Sequence, residues 1–167
     1  MTDGPLDRLD LALLDALRDH PRAGALELAR RTDVARATVQ ARLKRLEERV
    51  VTGYGPDIDL EAAGYPVSAF VTLEIAQGAL DRLAAALEAL PEVLEAHVTT
   101  GTYDVVCKVA ASSHQHLQET LLQLTRMPAV RRSTSVVILS ELVAPRVMPL
   151  LRTGAQDRGA RAPAHRS

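Results

Sequence analysis

The chain has 167 residues, of which 47% are hydrophobic and 25% are charged, and its formal net charge is −1. This length and composition indicate an ordinary soluble protein with one mid-sized domain or two small ones. Aromatic residues make up only 2% and tryptophan is absent, which disfavours a single-strand nucleic-acid binder that stacks bases. The lone Cys107 excludes an internal disulfide, and neither a signal peptide nor a membrane-spanning apolar run is present, so we expect a cytoplasmic protein.

The first predicted element is a helix over residues 6–19. Asp7 is placed to cap it, and Asp10 puts a second carboxylate near the positive end of the helix. His20 and Pro21 stop the helix. The apolar stripe that packs on the following helices consists of Leu9, Leu13, Leu14 and Leu17.

Residues 22–46 have the pattern of a short helix, a tight turn and a basic helix, which predicts a helix-turn-helix. Asp33 lies where the chain must turn. Positive charge is concentrated here, because residues 30–49 hold seven cations and three anions in a chain that is slightly acidic overall. The apolar positions are Leu26, Leu28 and Ala29 in the first helix and Val39, Leu43 and Leu46 in the second.

The second of these helices is the candidate DNA reader, and its partner is double-stranded DNA. Its first exposed turns carry arginine, which suits guanine, and glutamine, which suits adenine, whereas cations further along suit phosphates. The alternative is that this basic helix is only a solvated face. The candidate DNA contacts are Arg36, Thr38, Gln40, Arg42, Lys44 and Arg45.

Residues 50–64 predict a short strand, a Gly-Pro turn and an acidic linker. The pattern beyond predicts a β-α-β-β-α-β order, with strands over 67–76, 93–100, 103–110 and 133–143 and helices over 79–90 and 112–126. Ser112 and Gln115 are placed to cap the second helix. This order predicts a ferredoxin-like α+β sandwich with both helices on one face of an antiparallel sheet. The last strand carries apolar residues on both faces, so we expect a second subunit to cover the bare face.

The chain also carries the residues of a known family, in order and at the expected spacing: Leu6-Asp7-Arg8-Leu9-Asp10, Arg22, Glu27-Leu28-Ala29, Val39, Arg42-Leu43-Lys44-Arg45-Leu46-Glu47 and Gly53-Tyr54. In these it resembles the Lrp/AsnC (feast/famine) family of transcriptional regulators over roughly residues 6–150. The resemblance implies a DNA-binding regulator whose second half senses an amino acid or a related small metabolite. It also implies assembly as homodimers, often as larger rings of dimers.

The resemblance further implies an effector site between subunits, at the turn formed by Gly101, Thr102, Tyr103 and Asp104 and at Ser135, where the family usually has threonine. Glycine exposes backbone N–H groups to a carboxylate, and the aspartate suits an ammonium group. The alternative is an ordinary hairpin turn with a surface aspartate.

Four departures from the family pattern concern the caps of the helices. Gly24 and Ala35 stand where the second and third helices usually have a serine cap, and Asp33 replaces a turn glycine. The glycine that usually ends the third helix is missing after Arg49.

We therefore predict an N-terminal winged helix-turn-helix domain over residues 1–52 and a linker over 53–65. A ferredoxin-like effector-binding and oligomerisation domain over 66–151 follows. Residues 152–167 are rich in Gly, Ala and Arg without an apolar period, so we expect a disordered tail.

An enzyme on the same scaffold is the alternative function, as in the related sirohaem decarboxylases. Those relatives typically have Phe-Pro near the end of the first helix and an arginine-rich segment before the linker, whereas this chain has His20-Pro21 and Thr52-Gly53-Tyr54. His114 and His116 diverge on a helix and do not suggest a metal site. We expect no enzymatic activity, no cofactor and no metal, and we expect Cys107 to be a small buried hydrophobe.

Overall fold

The computed structural model describes residues 6–160, with side chains through residue 154, and they fall into two compact units. One unit comprises the chain through Pro56 together with the segment from Ala144 onward, and the other spans Asp57–Val143. The first contains α1 (Arg8–Asp19), α2 (Ala25–Thr32), α3 (Arg36–Arg49) and α6 (Met148–Ala160). The second contains β1 (Val67–Ile75), α4 (Leu80–Glu88), β2 (Val93–Val98), β3 (Val105–Ala111), α5 (His114–Arg126) and β4 (Val130–Ile138).

The first three helices pack around a shared aliphatic core formed by Leu13, Leu28, Ala29, Val39 and Leu46. Asp33 ends α2 in the left-handed conformation at φ 53°, as expected for the residue at the turn. Gly24 and Ala35 occupy the cap positions of α2 and α3 without a side-chain hydrogen bond, so the predicted loss of both serine caps is confirmed.

α3 ends without a glycine cap, as expected from the glycine missing after Arg49. In place of a glycine cap, the amides of Val50 and Val51 both donate to the Leu46 carbonyl at 2.8 Å. The short strand predicted from Val50 is wrong, because no regular structure is assigned to residues 51–59.

The second unit confirms the ferredoxin-like prediction. Its four strands are antiparallel in the order β2-β3-β1-β4, with the two helices inserted in the split β-α-β pattern. Alternate residues of β1 share one core with both helices, which places α4 and α5 on the same face of the sheet; the core includes Val71, Leu73, Leu83 and Leu124.

The opposite face of the sheet exposes apolar side chains. Phe70 on β1 pairs with Val136 on β4, and these residues are 44% and 64% exposed. β4 ends at Ile138 and not at residue 143, because Ile138 already pairs with Ser68, next to the first residue of β1.

The C-terminal helix α6 was not predicted. We expected disorder from Arg152 onward, but residues 152–160 are helical, and residues 161–167 lie outside the described part of the chain. Tertiary contacts explain the difference, since α6 packs on α1, Met148 is only 5% exposed, and Arg152 Nη2 donates to Asp15 Oδ1 at 2.6 Å. None of the helices within residues 6–160 combines the length and the hydropathy that a membrane span requires.

Candidate nucleic-acid interface and effector site

The outer face of α3 carries three of the predicted DNA contacts in exposed positions: Arg36, Gln40 and Lys44. Thr38 is also exposed, but it lies on the side of the helix that carries Arg42. The side chain of Lys44 is 80% exposed, and its ammonium group lies 3.9 Å from Glu48, a loose contact at the surface. The inner face of the same helix carries the buried Val39 and Leu46. The amphipathic pattern therefore separates a core face from a polar face, as predicted.

Arg42 and Arg45 lie on the side of α3 that faces α1, where both form ion pairs with carboxylates. Arg42 Nη1 donates to Asp7 Oδ2 at 2.5 Å and to Asp10 Oδ1 at 3.1 Å. Arg45 Nη2 donates to the other oxygen of Asp10. The reason is helical spacing, because residues three apart share a face, and this face packs against the start of α1.

The two aspartates that receive these arginines also cap α1. The Asp10 amide donates to Asp7 Oδ1 at 2.9 Å, and the Asp7 amide donates back to Asp10 Oδ2 at 3.0 Å. This reciprocal arrangement confirms Asp7 as the helix cap. Asp10 therefore does more than face the helix dipole, because its side chain also accepts hydrogen bonds from both arginines.

The electrostatics of this cluster favour the charged forms of Asp7 and Arg42. Burial alone would raise the pKa of Asp7, but the hydrogen bond from the Asp10 amide and the Arg42 guanidinium outweigh it and lower that pKa. Hydrogen bonds to Asp7 and Asp10 outweigh burial and raise the pKa of Arg42.

The segment that follows α3 is tied back to the helix through Tyr54. Its hydroxyl donates to Glu47 Oε1 at 2.8 Å. Burial and the Glu47 carboxylate together raise the pKa of Tyr54 to about 12. This bond joins two residues of the family pattern, Glu47 and Tyr54.

The Gly101–Asp104 turn joins β2 to β3 as predicted. Gly101 adopts φ 112°, a conformation that other residues rarely reach. Thr99 Oγ1 donates to the Tyr103 carbonyl at 2.7 Å, and the Asp104 amide donates to the Leu73 carbonyl at 3.0 Å. The turn is therefore held at both ends.

The Asp104 carboxylate is exposed, but it is not a free surface group. Asp104 Oδ2 accepts the Ile75 amide at 2.8 Å and so links the turn to β1. Within residues 6–154, no partner is recorded for the second oxygen, Oδ1.

Ser135, the other predicted effector residue, lies on β4 opposite Val71 and is exposed. Asp104 contacts β1 at Ile75, whereas Ser135 contacts it at Val71. These two contact points are four residues apart, about 13 Å along the strand. One copy of the chain does not bring them together around a single small ligand.

On α5, the ring of His116 has a polar neighbour at each nitrogen. Ser113, one residue later than predicted, caps the helix by accepting the His116 amide at 3.1 Å. His116 Nε2 lies 3.0 Å from Glu92 Oε1, and Nδ1 lies 3.1 Å from Ser112 Oγ. The Glu92 amide and the His116 ring lower the pKa of Glu92. Within the described residues, no three His, Cys, Asp or Glu side chains are arranged to hold a metal ion.

Cys107 is buried in the sheet, as predicted. Its thiol donates to the Val71 carbonyl at 3.5 Å, and burial raises its pKa to about 11. A thiol with this pKa remains protonated at neutral pH and is a poor nucleophile.

Comparison with known proteins matches both units. Residues 6–49 match a family model described as winged helix-turn-helix DNA-binding, and residues 68–148 match one described as the Lrp/AsnC ligand binding domain. An HTH-type transcriptional regulator of Mycobacterium tuberculosis is 33% identical over 141 residues, which cover 83% of this chain and 95% of that protein. The chain belongs to the Lrp/AsnC family.

Solved structures of similar proteins have the same fold. Escherichia coli AsnC is 28% identical, with a TM-score of 0.76 over 87% of this chain and all of that one. A Neisseria meningitidis transcriptional regulator, solved in complex with L-Met, is 25% identical, with a TM-score of 0.76 over 83% of this chain and 93% of that one. This Lrp/AsnC protein is thus a DNA-binding transcriptional regulator with a ligand-binding domain, and the relatives named here are regulators.

Proposed function

We propose that α3 of this regulator reads duplex DNA and that its oligomer responds to an amino acid bound at the Gly101–Asp104 turn. Base edges are contacted by Arg36, Thr38 and Gln40, and phosphates by Lys44. The effector changes DNA affinity by changing the assembly of the subunits.

The DNA proposal is carried by the polar face of α3. Arg36, Gln40 and Lys44 follow one another at intervals of four residues, so they form one exposed stripe along the helix. Among residues 6–154, no side chain is recorded as a partner of Arg36 or Gln40, which leaves both able to meet bases. A stripe of this kind suits the major groove, where bidentate groups discriminate base pairs.

The effector proposal is supported by the chemistry of the turn. Gly101 leaves its backbone open, since a Cβ built there meets no atom within 4 Å. Backbone amides suit an α-carboxylate, and Asp104 Oδ1 suits an α-ammonium group. The L-Met complex of the Neisseria relative supports an amino acid as the class of ligand.

The assembly proposal is supported by the bare face of the sheet. Phe70 and Val136 expose apolar surface that a second copy would bury. The proposal also has a neighbouring subunit complete one effector site from Ser135 and the Gly101–Asp104 turn, which are separated in one chain. A ligand there shifts assembly only by its differential affinity for two arrangements, typically about 1–3 kcal/mol.

Titration calorimetry against the common amino acids, combined with light scattering and DNA-binding titrations, tests this proposal. We expect at least one amino acid to bind at millimolar concentration or below, and to change the oligomer distribution or the affinity for DNA. A protein that binds none of them is an effector-independent regulator. A protein that is only a monomer at micromolar concentration contradicts the assembly proposal.

A further inference from the structure

We propose that Arg42 and Arg45 are positioning residues that fix the recognition helix α3 on α1 through Asp10, and that they do not hold DNA phosphates. The inference rests on the proposed placement of α3 against duplex DNA. It assigns Lys44 to DNA phosphates and the two arginines to the orientation of α3, and the two roles affect DNA binding differently.

The partner of both arginines is a buried carboxylate. Asp10 is 0% exposed, while Arg42 and Arg45 reach it from the same face of α3 and bind its two oxygens separately. A buried carboxylate without paired cations carries a large desolvation penalty. Arginines that moved away to phosphates would leave Asp10 in that state, so DNA competes poorly for them.

The carboxylates at the start of α1 that bind the two arginines are held in place by the backbone. Both carboxylates accept backbone amides of the capping box, so Asp7 and Asp10 are already fixed before α3 contacts them. Arg42 adds a second carboxylate to the attachment through Asp7.

The spacing of the attachment controls the orientation of the reading face. Arg42 and Arg45 are three residues apart, about 4.5 Å along the axis, so α3 is held at two points and cannot rotate freely. Gln40 and Lys44 lie on the exposed side of the same turns. A small rotation of α3 would therefore move Arg36 and Gln40 away from their bases.

Salt dependence separates the two roles. Each phosphate contact adds about 0.9 to the slope of log affinity against log salt, whereas a positioning residue adds nothing. Loss of positioning lowers the preference for the correct sequence, because base contacts need accurate geometry.

The experiment measures binding of the full chain to two duplexes over a range of KCl concentrations. One duplex is selected by the wild-type protein from a random library, and the other is a scrambled duplex of the same composition. Lys44→Ala is the matched control, because Lys44 is adjacent to Arg45 and exposed. We expect it to lower the slope by about one unit on both duplexes.

For Arg42→Ala and Arg45→Ala, we expect an unchanged slope and a loss of preference for the selected duplex of about tenfold, the effect of one misplaced base contact. A slope lowered by about one unit with the preference intact would identify them as phosphate contacts and overturn the inference alone. If Lys44→Ala also leaves the slope unchanged, α3 is not the DNA helix and the proposed function fails as well.

Asp10→Asn gives an independent result, because it keeps the size of the side chain and removes the charge that holds both arginines. If the arginines position α3, Asp10→Asn should reduce the preference for the selected duplex over the scrambled one, even though the chain becomes more positive. Tighter binding with full preference would mean that the freed arginines serve phosphates, which contradicts the inference. Circular dichroism checks that each variant is folded. If Arg45→Ala unfolds, Arg45→Gln, which keeps a neutral hydrogen-bond donor, replaces it, and the slope of log affinity against log salt is interpreted in the same way.

Discussion

Asp104 has a structural contact and a proposed ligand contact, and two substitutions separate them. Asp104→Ala removes the acceptor of the Ile75 amide. We expect a loss of about 1 kcal/mol of unfolding free energy, at the low end for an unpaired amide because Asp104 is exposed. Asp104→Asn keeps an oxygen for that amide, so its stability should stay within about 0.5 kcal/mol of the wild type.

The two variants should behave alike toward the effector, because both remove the negative charge. A charge-assisted hydrogen bond contributes about 1.5–3 kcal/mol, so we expect binding of the amino acid to weaken by about 10- to 150-fold in each variant. Urea unfolding measures the stability, and calorimetry with the amino acid that binds the wild type measures the affinity. Binding by Asp104→Asn at the wild-type affinity would refute the assignment and leave Asp104 as a structural residue of the hairpin.

Three further predictions concern pH, the C-terminal helix and assembly. The pKa of Asp7 is lower in the folded state than its ordinary value of 3.8. The stability that the charged Asp7 contributes is therefore present above pH 3.8 and is lost as the pH falls through the folded pKa. In urea unfolding below pH 5, we expect Asp7→Asn to lose less stability with falling pH than the wild type. Met148→Ala should destabilise the helical unit by about 2–5 kcal/mol in thermal or urea unfolding, whereas Leu150→Ala, at a position 73% exposed, should change stability by less than about 0.5 kcal/mol; equal effects would mean that α6 does not pack as described. Val136→Glu should shift light scattering toward monomer by placing a charge on the bare sheet face, and an unchanged oligomer would exclude that face as the interface.

The order of elements could be predicted from the sequence because each one has a strong local signal. Leucine spacing and the Asp7 cap locate α1, and alternating apolar residues around Val71 and Cys107 locate two central strands. The left-handed turn at Asp33 was equally local, since few residues fit that conformation.

Features that depend on contacts far apart in sequence could not be predicted. Amphipathic periodicity places Arg42 and Arg45 outside the aliphatic core, but it does not reveal that Asp10, more than 30 residues earlier, lies opposite them. Helix α6 lacks an apolar period and is supported by its packing on α1. Apolar and polar residues alternate beyond Ile138 as they would in a strand, but β1 begins at Val67 and has almost no further residue with which they could pair.

The central claim, that the exposed face of α3 reads DNA sequence, is tested most directly by Arg36→Ala in a binding selection from a random duplex library. We predict that the variant binds the wild-type site about 5- to 150-fold more weakly, equivalent to about 1–3 kcal/mol, and that it selects sequences with a relaxed preference at one position. A variant that selects the same sequences as the wild type, with the same affinity, would contradict the placement of α3 as the recognition helix.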